Sequence, residues 1–302
     1  MRALVIRHDH VTEPGLVGDR LVQRGYDLRL LTVVPQERHH TPDVRFDFPD
    51  ADGWDLVVSL GAPWSVYDET TVGSWIGGEL ALLRKAHLLG IPVLGICFAA
   101  QALTTALGGS VEAAPRPEIG WVGIDTDDPA LIPPGPWMQW HYDRCVPPPG
   151  AQEMARNAVC TQAFRMGNSL GVQFHPEAIP AVVRRRVDFG GAEQCARLSI
   201  DPEELVARSR AMEPVARENA YRLVDAFLDG VASPDCAVDR ENTVVSMPRH
   251  TSSATGSSDA ATGSRSGGVW PCAPTSSPSP TRPDTALQPS SSGLADDRRH
   301  QS

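Results

Sequence analysis

The stretch Gly95-Ile96-Cys97-Phe98-Ala99-Ala100-Gln101 decides the expected fold, because it places a cysteine between an apolar strand and a helix. The preceding run, residues 91–96, is short and apolar, which predicts a buried parallel strand. Apolar residues then recur at helical spacing until Gly108-Gly109 ends the helix. Cys97 is therefore predicted at a strand-to-helix corner, where the helix N-terminus favours a thiolate and the sharp turn presents the sulfur to solvent.

Strands and helices alternate on the N-terminal side of this corner. The predicted elements are strands at 2–7, 26–33, 55–60 and 91–96, and helices within 16–25, 75–89 and 99–107. Four strands alternating with three helices predict a parallel sheet covered on both faces, with active groups at the carboxyl ends of the strands. A cysteine after an apolar strand is more often a small buried hydrophobe, so a catalytic role for Cys97 depends on the other residues at that sheet edge.

The pattern changes after residue 110. Short segments separated by Pro- and Gly-rich turns predict an antiparallel extension of the same sheet, at 122–126, 152–156, 163–166 and 169–173. Closing helices follow, one capped by Asp201 and one over 215–228. Residues 1–230 are thus predicted to form one three-layer α/β domain, and the Ser/Pro-rich residues 231–302 a disordered tail or a phosphorylatable partner-binding segment.

Composition narrows the classes of partner. The 302 residues include 27 basic and 37 acidic side chains, and the formal charge of -10 argues against nucleic-acid or anionic membrane binding. The run Arg184-Arg185-Arg186 is interpreted as the solvated face of a helix. The N-terminal apolar run is too short for an export signal, and six scattered cysteines without a C-x-x-C pair predict a cytoplasmic protein with reduced thiols and no zinc site.

A second motif, Val172-Gln173-Phe174-His175-Pro176-Glu177, follows the last predicted strand. Pro176 biases His175 towards an extended backbone, so His175 and Glu177 project to the same side. An imidazole there can take the proton of the Cys97 thiol while the carboxylate holds the ring and stabilises the imidazolium. The pair His8 and His10, which flanks Asp9, has metal-like spacing without a third ligand, so a loop beside the site is favoured over a metal site.

Together these motifs resemble the class I, or triad, glutamine amidotransferases over residues 1–230. The nucleophile motif is similar to 95–101, the His-Glu motif to 172–177, and the oxyanion strand end to 60–68. Residues 118–121 and 64–68 look most like the stand-alone branch related to the amidotransferase part of GMP synthase. The family usually has glycine where this chain has Ala62 and Ala99, and we expect the site to tolerate the added methyl groups.

The resemblance implies a role for each matching residue. It makes Cys97 the nucleophile, His175 the general base and acid, and Glu177 the group that orients the imidazole. The roles implied around this triad are backbone N–H donors of an oxyanion hole at Phe98 and Ala62, and substrate contacts at Gly61 and Gln101. Residues 140–143 would form either a loop at the mouth of the site or a packing element.

The implied reaction is hydrolysis of the L-glutamine side-chain amide through a γ-glutamyl thioester on Cys97, without a cofactor or metal. Because the sequence contains no phosphate-binding loop, the ammonia would pass to a separate ATP-using synthase chain. Two alternatives stay open: a hydrolase of γ-glutamyl peptides or amides, and a non-catalytic regulatory subunit.

Overall fold

An eight-stranded mixed sheet forms the centre of residues 1–232, the part of the chain that the computed structural model describes. The strands are β1 Arg2–Arg7, β2 Asp27–Thr32, β3 Leu56–Ser59, β4 Val93–Ile96, β5 Ser110–Val122, β6 Asp125–Thr126, β7 Trp137–Val146, β8 Gln152–Arg156, β9 Thr161–Met166 and β10 Ser169–Val172. Their order in the sheet is β2-β1-β3-β4-β10-β9-β8-β6. The first five strands are parallel and the last three antiparallel, which confirms the predicted α/β sheet with an antiparallel extension.

Helices cover both faces of this sheet. They are α1 Gly15–Gln23, α2 Glu69–Leu88, α3 Phe98–Ala106, α4 Pro180–Arg186, α5 Ala192–Arg197 and α6 Pro202–Ala226. Alternate residues of β1 enter two separate apolar clusters, because successive side chains of a strand point to opposite faces. Val5 packs in the cluster that α1 and α6 complete, and Ile6 in the cluster that α2 and α3 complete. The predicted three layers are therefore present.

The structure differs from the sequence prediction around residues 110–146. There β5 and β7 pair in a separate two-stranded antiparallel sheet instead of extending the main one. The predicted strand at 122–126 is divided between the end of β5 and the short β6. Strand β7 went unrecognised because its face towards the site carries polar and aromatic side chains rather than an apolar alternation.

Two helices are longer than predicted. Helix α2 begins at Glu69 instead of 75, with the Asp68 side chain accepting from the N–H of Thr70, and its glycines had obscured the helical pattern. Helix α6 is continuous from Pro202 to Ala226 and carries Pro214 in its interior, where two helices had been predicted. None of the helices in residues 1–232 combines the length and the apolar character that a membrane crossing requires.

The C-terminal boundary of the folded part lies at or beyond residue 231. Val231 is 1% exposed and belongs to the apolar cluster under α6, although the sequence assigned it to the tail. Residues 233–302 lie outside the described residues, so the disordered tail stays a prediction.

Candidate active site

Cys97 lies at the corner between β4 and α3, as predicted. Its backbone has φ 54° and ψ −110°, a strained conformation for a residue with a side chain, which is typical of a nucleophile held on a sharp turn. A Cβ on Gly95 would lie 2.8 Å from the Ala99 carbonyl oxygen, so only glycine lets this strand and helix approach so closely. The Cys97 N–H donates to the Val172 carbonyl at 2.8 Å, which ties the corner to β10.

The expectation that the corner presents the sulfur to solvent is wrong. Cys97 is only 4% exposed, because strand β7 passes over it and places the Trp140 carbonyl oxygen 3.8 Å from Sγ. The sulfur instead lies in the wall of a cavity of about 210 Å³. A concave site of this size has room for a small substrate next to the thiol.

His175 and Glu177 meet Cys97 because β10 lies beside β4 in parallel and both strands end at the same sheet edge. Nδ1 of His175 lies 2.6 Å from Glu177 Oε1, and both side chains are buried. The backbone N–H of His175 donates to the Met138 carbonyl at 2.9 Å, which fixes the backbone of the motif. The structure therefore brings together the three residues that the sequence proposed as a triad.

Gly61, which follows β3, lies next to both Cys97 and His175. A Cβ on Gly61 would lie 3.0 Å from His175 Cε1 and 3.6 Å from the Cys97 Cβ. The third parallel strand thus ends directly against both the sulfur-bearing residue and the imidazole. A methyl group at this position would require the imidazole to move by a few tenths of an ångström, whereas its contact with Cys97 would be an ordinary one.

The pKa values of His175 and Glu177 are shifted in opposite directions. Burial lowers the pKa of His175, but the neighbouring Glu177 carboxylate outweighs it and raises the pKa to about 9, while Arg186 opposes the rise and Cys97 supports it. Burial raises the pKa of Glu177, and His175 reverses this effect, so that the pKa of this carboxyl is lowered. The environment therefore favours an imidazolium beside an ionised carboxylate, the state that follows proton transfer from a thiol.

Arg186, on the last turn of α4, also reaches the imidazole. Its Nη1 lies 3.1 Å from His175 Nε2, and its guanidinium lies 5.7 Å from the centroid of the Trp140 ring. The interpretation of Arg184-Arg185-Arg186 as a solvated face is wrong for this residue, whereas Arg184 does form a surface pair with Glu203. No sequence signal distinguished the three arginines, because the face that α4 turns to the site depends on its packing.

Two residues that line the cavity beside the sulfur have backbone N–H groups without a hydrogen-bond acceptor among residues 1–232. Phe98 is the first residue of α3, and the N–H groups of a first helical turn have no intrahelical acceptor. Ala62 lines the cavity, and its N–H has no hydrogen-bond acceptor among the residues that the structure describes. These are the two donors that the sequence proposed for an oxyanion hole.

Gln101 lies in the cavity wall but is held by the protein. Its Nε2 donates to Gln173 Oε1 at 3.2 Å and to the Asp143 carbonyl at 3.3 Å. Asp143 in turn accepts from the hydroxyls of Ser65 and Tyr67. Residues 140–143 therefore both line the cavity and pack against the loop after β3, instead of doing only one of the two.

Neighbouring residues of the motif His8-Asp9-His10 lie in different environments. Asp9 lines the cavity, whereas His8 is fully buried behind it, with Nε2 at 2.9 Å from Glu79 Oε2. A buried group of metal-ligand type, which the sequence did not predict, lies elsewhere and comprises Glu118, His141 and Cys160. Its carboxylate already accepts hydrogen bonds from the side chains of Asn157 and Gln162, so a cation would have to replace those contacts.

Comparisons with known proteins agree with this architecture. A family model described as "Glutamine amidotransferase class-I" matches residues 17–189. Curated relatives include the glutamine-hydrolysing GMP synthase of Synechocystis sp., 35% identical over 136 residues that make up 42% of this chain and 23% of the relative. The corresponding enzyme of Bacillus pumilus is 39% identical over 131 residues, 40% of this chain and 24% of the relative. The chain therefore spans about a quarter of the length of these relatives.

Solved structures share the fold. A glutamine amidotransferase from Thermotoga maritima superposes with a TM-score of 0.65 at 24% identity, covering 76% of this chain and 98% of the other. One from Methylobacillus flagellatus gives a TM-score of 0.65 at 23% identity, covering 76% and 95%. The family match covers more than half of the 302 residues and includes both the cysteine corner and the His-Pro-Glu motif. The chain therefore belongs to the glutamine amidotransferase class-I family.

Proposed function

We propose that this protein hydrolyses the side-chain amide of L-glutamine through a γ-glutamyl thioester on Cys97 and supplies the ammonia to a separate synthase chain. The observation that carries the proposal is the meeting, at one cavity, of a strained cysteine, a buried imidazole 2.6 Å from a carboxylate, and two lining residues whose N–H groups have no acceptor among residues 1–232. Each of these parts has a defined task in acyl transfer.

In the first half of the reaction, Nε2 of His175 takes the proton of the Cys97 thiol, and the thiolate attacks the amide carbon of glutamine. The carbonyl oxygen becomes an oxyanion, which the N–H groups of Phe98 and Ala62 bind. The imidazolium then returns the proton to the leaving nitrogen, and ammonia departs as the thioester forms. Because the Arg186 guanidinium lies 3.1 Å from Nε2, it must withdraw before Nε2 can accept from the thiol.

In the second half, water attacks the thioester carbon. Nε2 of His175 takes one proton of that water, the same two N–H groups bind the second oxyanion, and the thiol is restored as glutamate leaves. Glu177 stays ionised throughout and stabilises the imidazolium that forms twice in each cycle.

The similarity to the GMP synthases indicates which class of enzyme would receive the ammonia. The region similar to them corresponds to about a quarter of their length, and residues 1–232 are occupied by the amidotransferase fold. We propose that an ATP-using synthase receives the ammonia, since amidation of a carboxylate or carbonyl requires activation that glutamine hydrolysis does not supply.

The test is steady-state release of glutamate and ammonia by the purified full chain, with L-glutamine and with γ-glutamyl peptides as parallel substrates. Glutamine turnover that rises when a candidate synthase and its acceptor are added supports the proposal. Fast turnover of γ-glutamyl peptides with little glutamine turnover would favour a γ-glutamyl hydrolase. Turnover of neither substrate, with Cys97 inert to iodoacetamide, would favour a non-catalytic subunit.

A further inference from the structure

A fully buried chain of polar contacts lies behind the wall of the active site. Ser59, at the end of β3, donates its hydroxyl to Glu79 Oε1 at 2.7 Å, and Glu79 Oε2 lies 2.9 Å from His8 Nε2. His8 follows β1, and its Nδ1 lies 3.3 Å from the carbonyl oxygen of Gly61. All three side chains have no exposed surface. Burying an ionisable pair is costly unless every group in it is bonded.

The contact with Gly61 has a consequence for the next residue. The peptide joining Gly61 to Ala62 is trans, so its C=O and its N–H point in opposite directions. Its carbonyl is turned towards His8, on the buried side. The Ala62 N–H is therefore turned the other way, towards the cavity that Ala62 lines.

We propose that His8 is a positioning residue that fixes the plane of the Gly61–Ala62 peptide and thereby holds the Ala62 N–H in the oxyanion hole. This inference rests on the proposed function, since an oxyanion hole matters only if acyl transfer takes place. His8 acts through the peptide and does not touch the substrate.

Aromatic side chains fix the ring of His8, and the fixed ring can in turn fix the Gly61–Ala62 peptide. It stacks on Trp75, with centroids 5.5 Å apart, and meets the edge of Phe98 at 4.7 Å. Phe98 carries the other oxyanion donor, so the same imidazole contacts the residue that supplies one donor and the peptide group that carries the other. A rigid ring is required because a donor displaced by about 1 Å loses much of its effect on a developing charge.

The charge of the network supports donation from both ring nitrogens. Each nitrogen faces an acceptor, the Gly61 carbonyl on one side and the Glu79 carboxylate on the other. Burial lowers the pKa of His8, but the Glu79 carboxylate raises it by more. Asp9 raises it further, so that the pKa of His8 is raised overall. An imidazolium donates from both nitrogens, whereas a neutral ring would leave one lone pair facing an acceptor.

Two substitutions separate the contacts of the ring. Asparagine places its amide nitrogen near the position of Nδ1, so His8→Asn keeps a donor for the Gly61 carbonyl and loses the Glu79 contact. Glutamine places its amide nitrogen near the position of Nε2, so His8→Gln keeps a donor for Glu79 and loses the Gly61 contact. Each variant removes one hydrogen bond and the aromatic packing, which makes the two a matched pair.

We expect His8→Gln to lower kcat/KM for glutamine about 100-fold, on the scale of a lost oxyanion donor, and His8→Asn to lower it less than tenfold. Alkylation of Cys97 by iodoacetamide forms no oxyanion, so its rate should equal that of the wild type in both variants and report an intact site. Burial raises the pKa of Cys145 and of Cys160 to about 12, which leaves these thiols unreactive at neutral pH. Mass spectrometry of the peptide that contains Cys97 distinguishes its alkylation from that of Cys195, Cys236 and Cys272.

Equal losses in the two variants, or a loss of alkylation that parallels the loss of turnover, would show that His8 only supports the fold and would overturn the inference. So would a His8→Gln variant with wild-type turnover. Absence of glutamate release by the wild-type protein itself, with Cys97 still alkylated, would instead refute the proposed function before the variants are compared.

Discussion

Gly61→Ala tests whether the end of β3 positions the imidazole. The φ of Gly61 lies outside the left-handed region, so alanine adds no backbone strain and the effect is steric. The new Cβ would lie 3.0 Å from His175 Cε1, and the ring would have to withdraw by a few tenths of an ångström. It cannot do so freely, because Nδ1 is held at 2.6 Å by Glu177 and the N–H of His175 is bonded to Met138.

Gly61→Ala is expected to lower the unfolding free energy slightly and kcat/KM for glutamine strongly. Overpacking by one methyl group in a fixed environment costs about 1 kcal/mol of unfolding free energy. Displacement of a general base by a fraction of an ångström should lower kcat/KM for glutamine by roughly ten- to a hundredfold. Urea denaturation and glutamate release, measured on the same preparation, give the two quantities.

Gly77→Ala is the matched control. Gly77 lies inside α2, and a Cβ there meets no atom within 4 Å. Alanine should stabilise the helix by up to about 1 kcal/mol and leave turnover unchanged. A Gly61→Ala variant with turnover within twofold of the wild type would refute the reasoning. So would a loss of turnover accompanied by unfolding, because the site would then fail as a whole instead of by displacement of one ring.

Three further outcomes are expected. Cys97→Ser should lower glutamate release by more than 10³-fold without moving the urea midpoint, because a serine hydroxyl is far less acidic than a thiol; turnover near the wild-type rate would contradict the thioester. The raised pKa of His175 stabilises the fold fully below about pH 6.5, and this contribution is lost as the pH rises through about 9. Urea denaturation should therefore show the wild type losing on the order of 3 kcal/mol more than Glu177→Gln between those pH values, and parallel curves would contradict the pairing. Arg186→Met should accelerate alkylation of Cys97 by iodoacetamide at neutral pH about tenfold by freeing Nε2, whereas the surface variant Arg184→Met should not; equal rates in both would show that the two donors do not compete.

Features that depend on neighbouring residues could be predicted from the sequence. The cysteine corner follows from the apolar run before it and the glycine pair after α3, and both lie within about twenty residues. The placement of His175 beside Glu177 follows from Pro176, which fixes an extended backbone locally. The parallel alternation of β1 to β4 then brings strand ends to one edge, and only the pairing of β10 with β4 required information from distant residues.

Features that depend on distant packing could not be predicted. The covering of Cys97 results from β7, whose pairing with β5 closes a sheet that no local pattern indicates. Glu79 lies on the buried side of α2, and it is paired with a histidine 71 residues away. In the sequence it is one acidic residue in an amphipathic helix, so that neither its burial nor its partner can be inferred. The same holds for Arg186, whose contact with His175 depends on how α4 packs.

Ala62 and Ala99, which stand where glycine was expected from the family resemblance, lie at positions that do not need glycine. Among residues 1–232, the non-glycine residues with positive φ are Cys97 and Ser199, so neither Ala62 nor Ala99 occupies a conformation that requires glycine. Close packing of β4 against α3 instead depends on Gly95, where a Cβ would lie 2.8 Å from the Ala99 carbonyl oxygen. Because that neighbour is backbone, it cannot move aside as a side chain could. The strand supplies the glycine that the corner needs, the helix tolerates a fully buried methyl group at Ala99, and backbone strain at the triad is confined to the nucleophile itself.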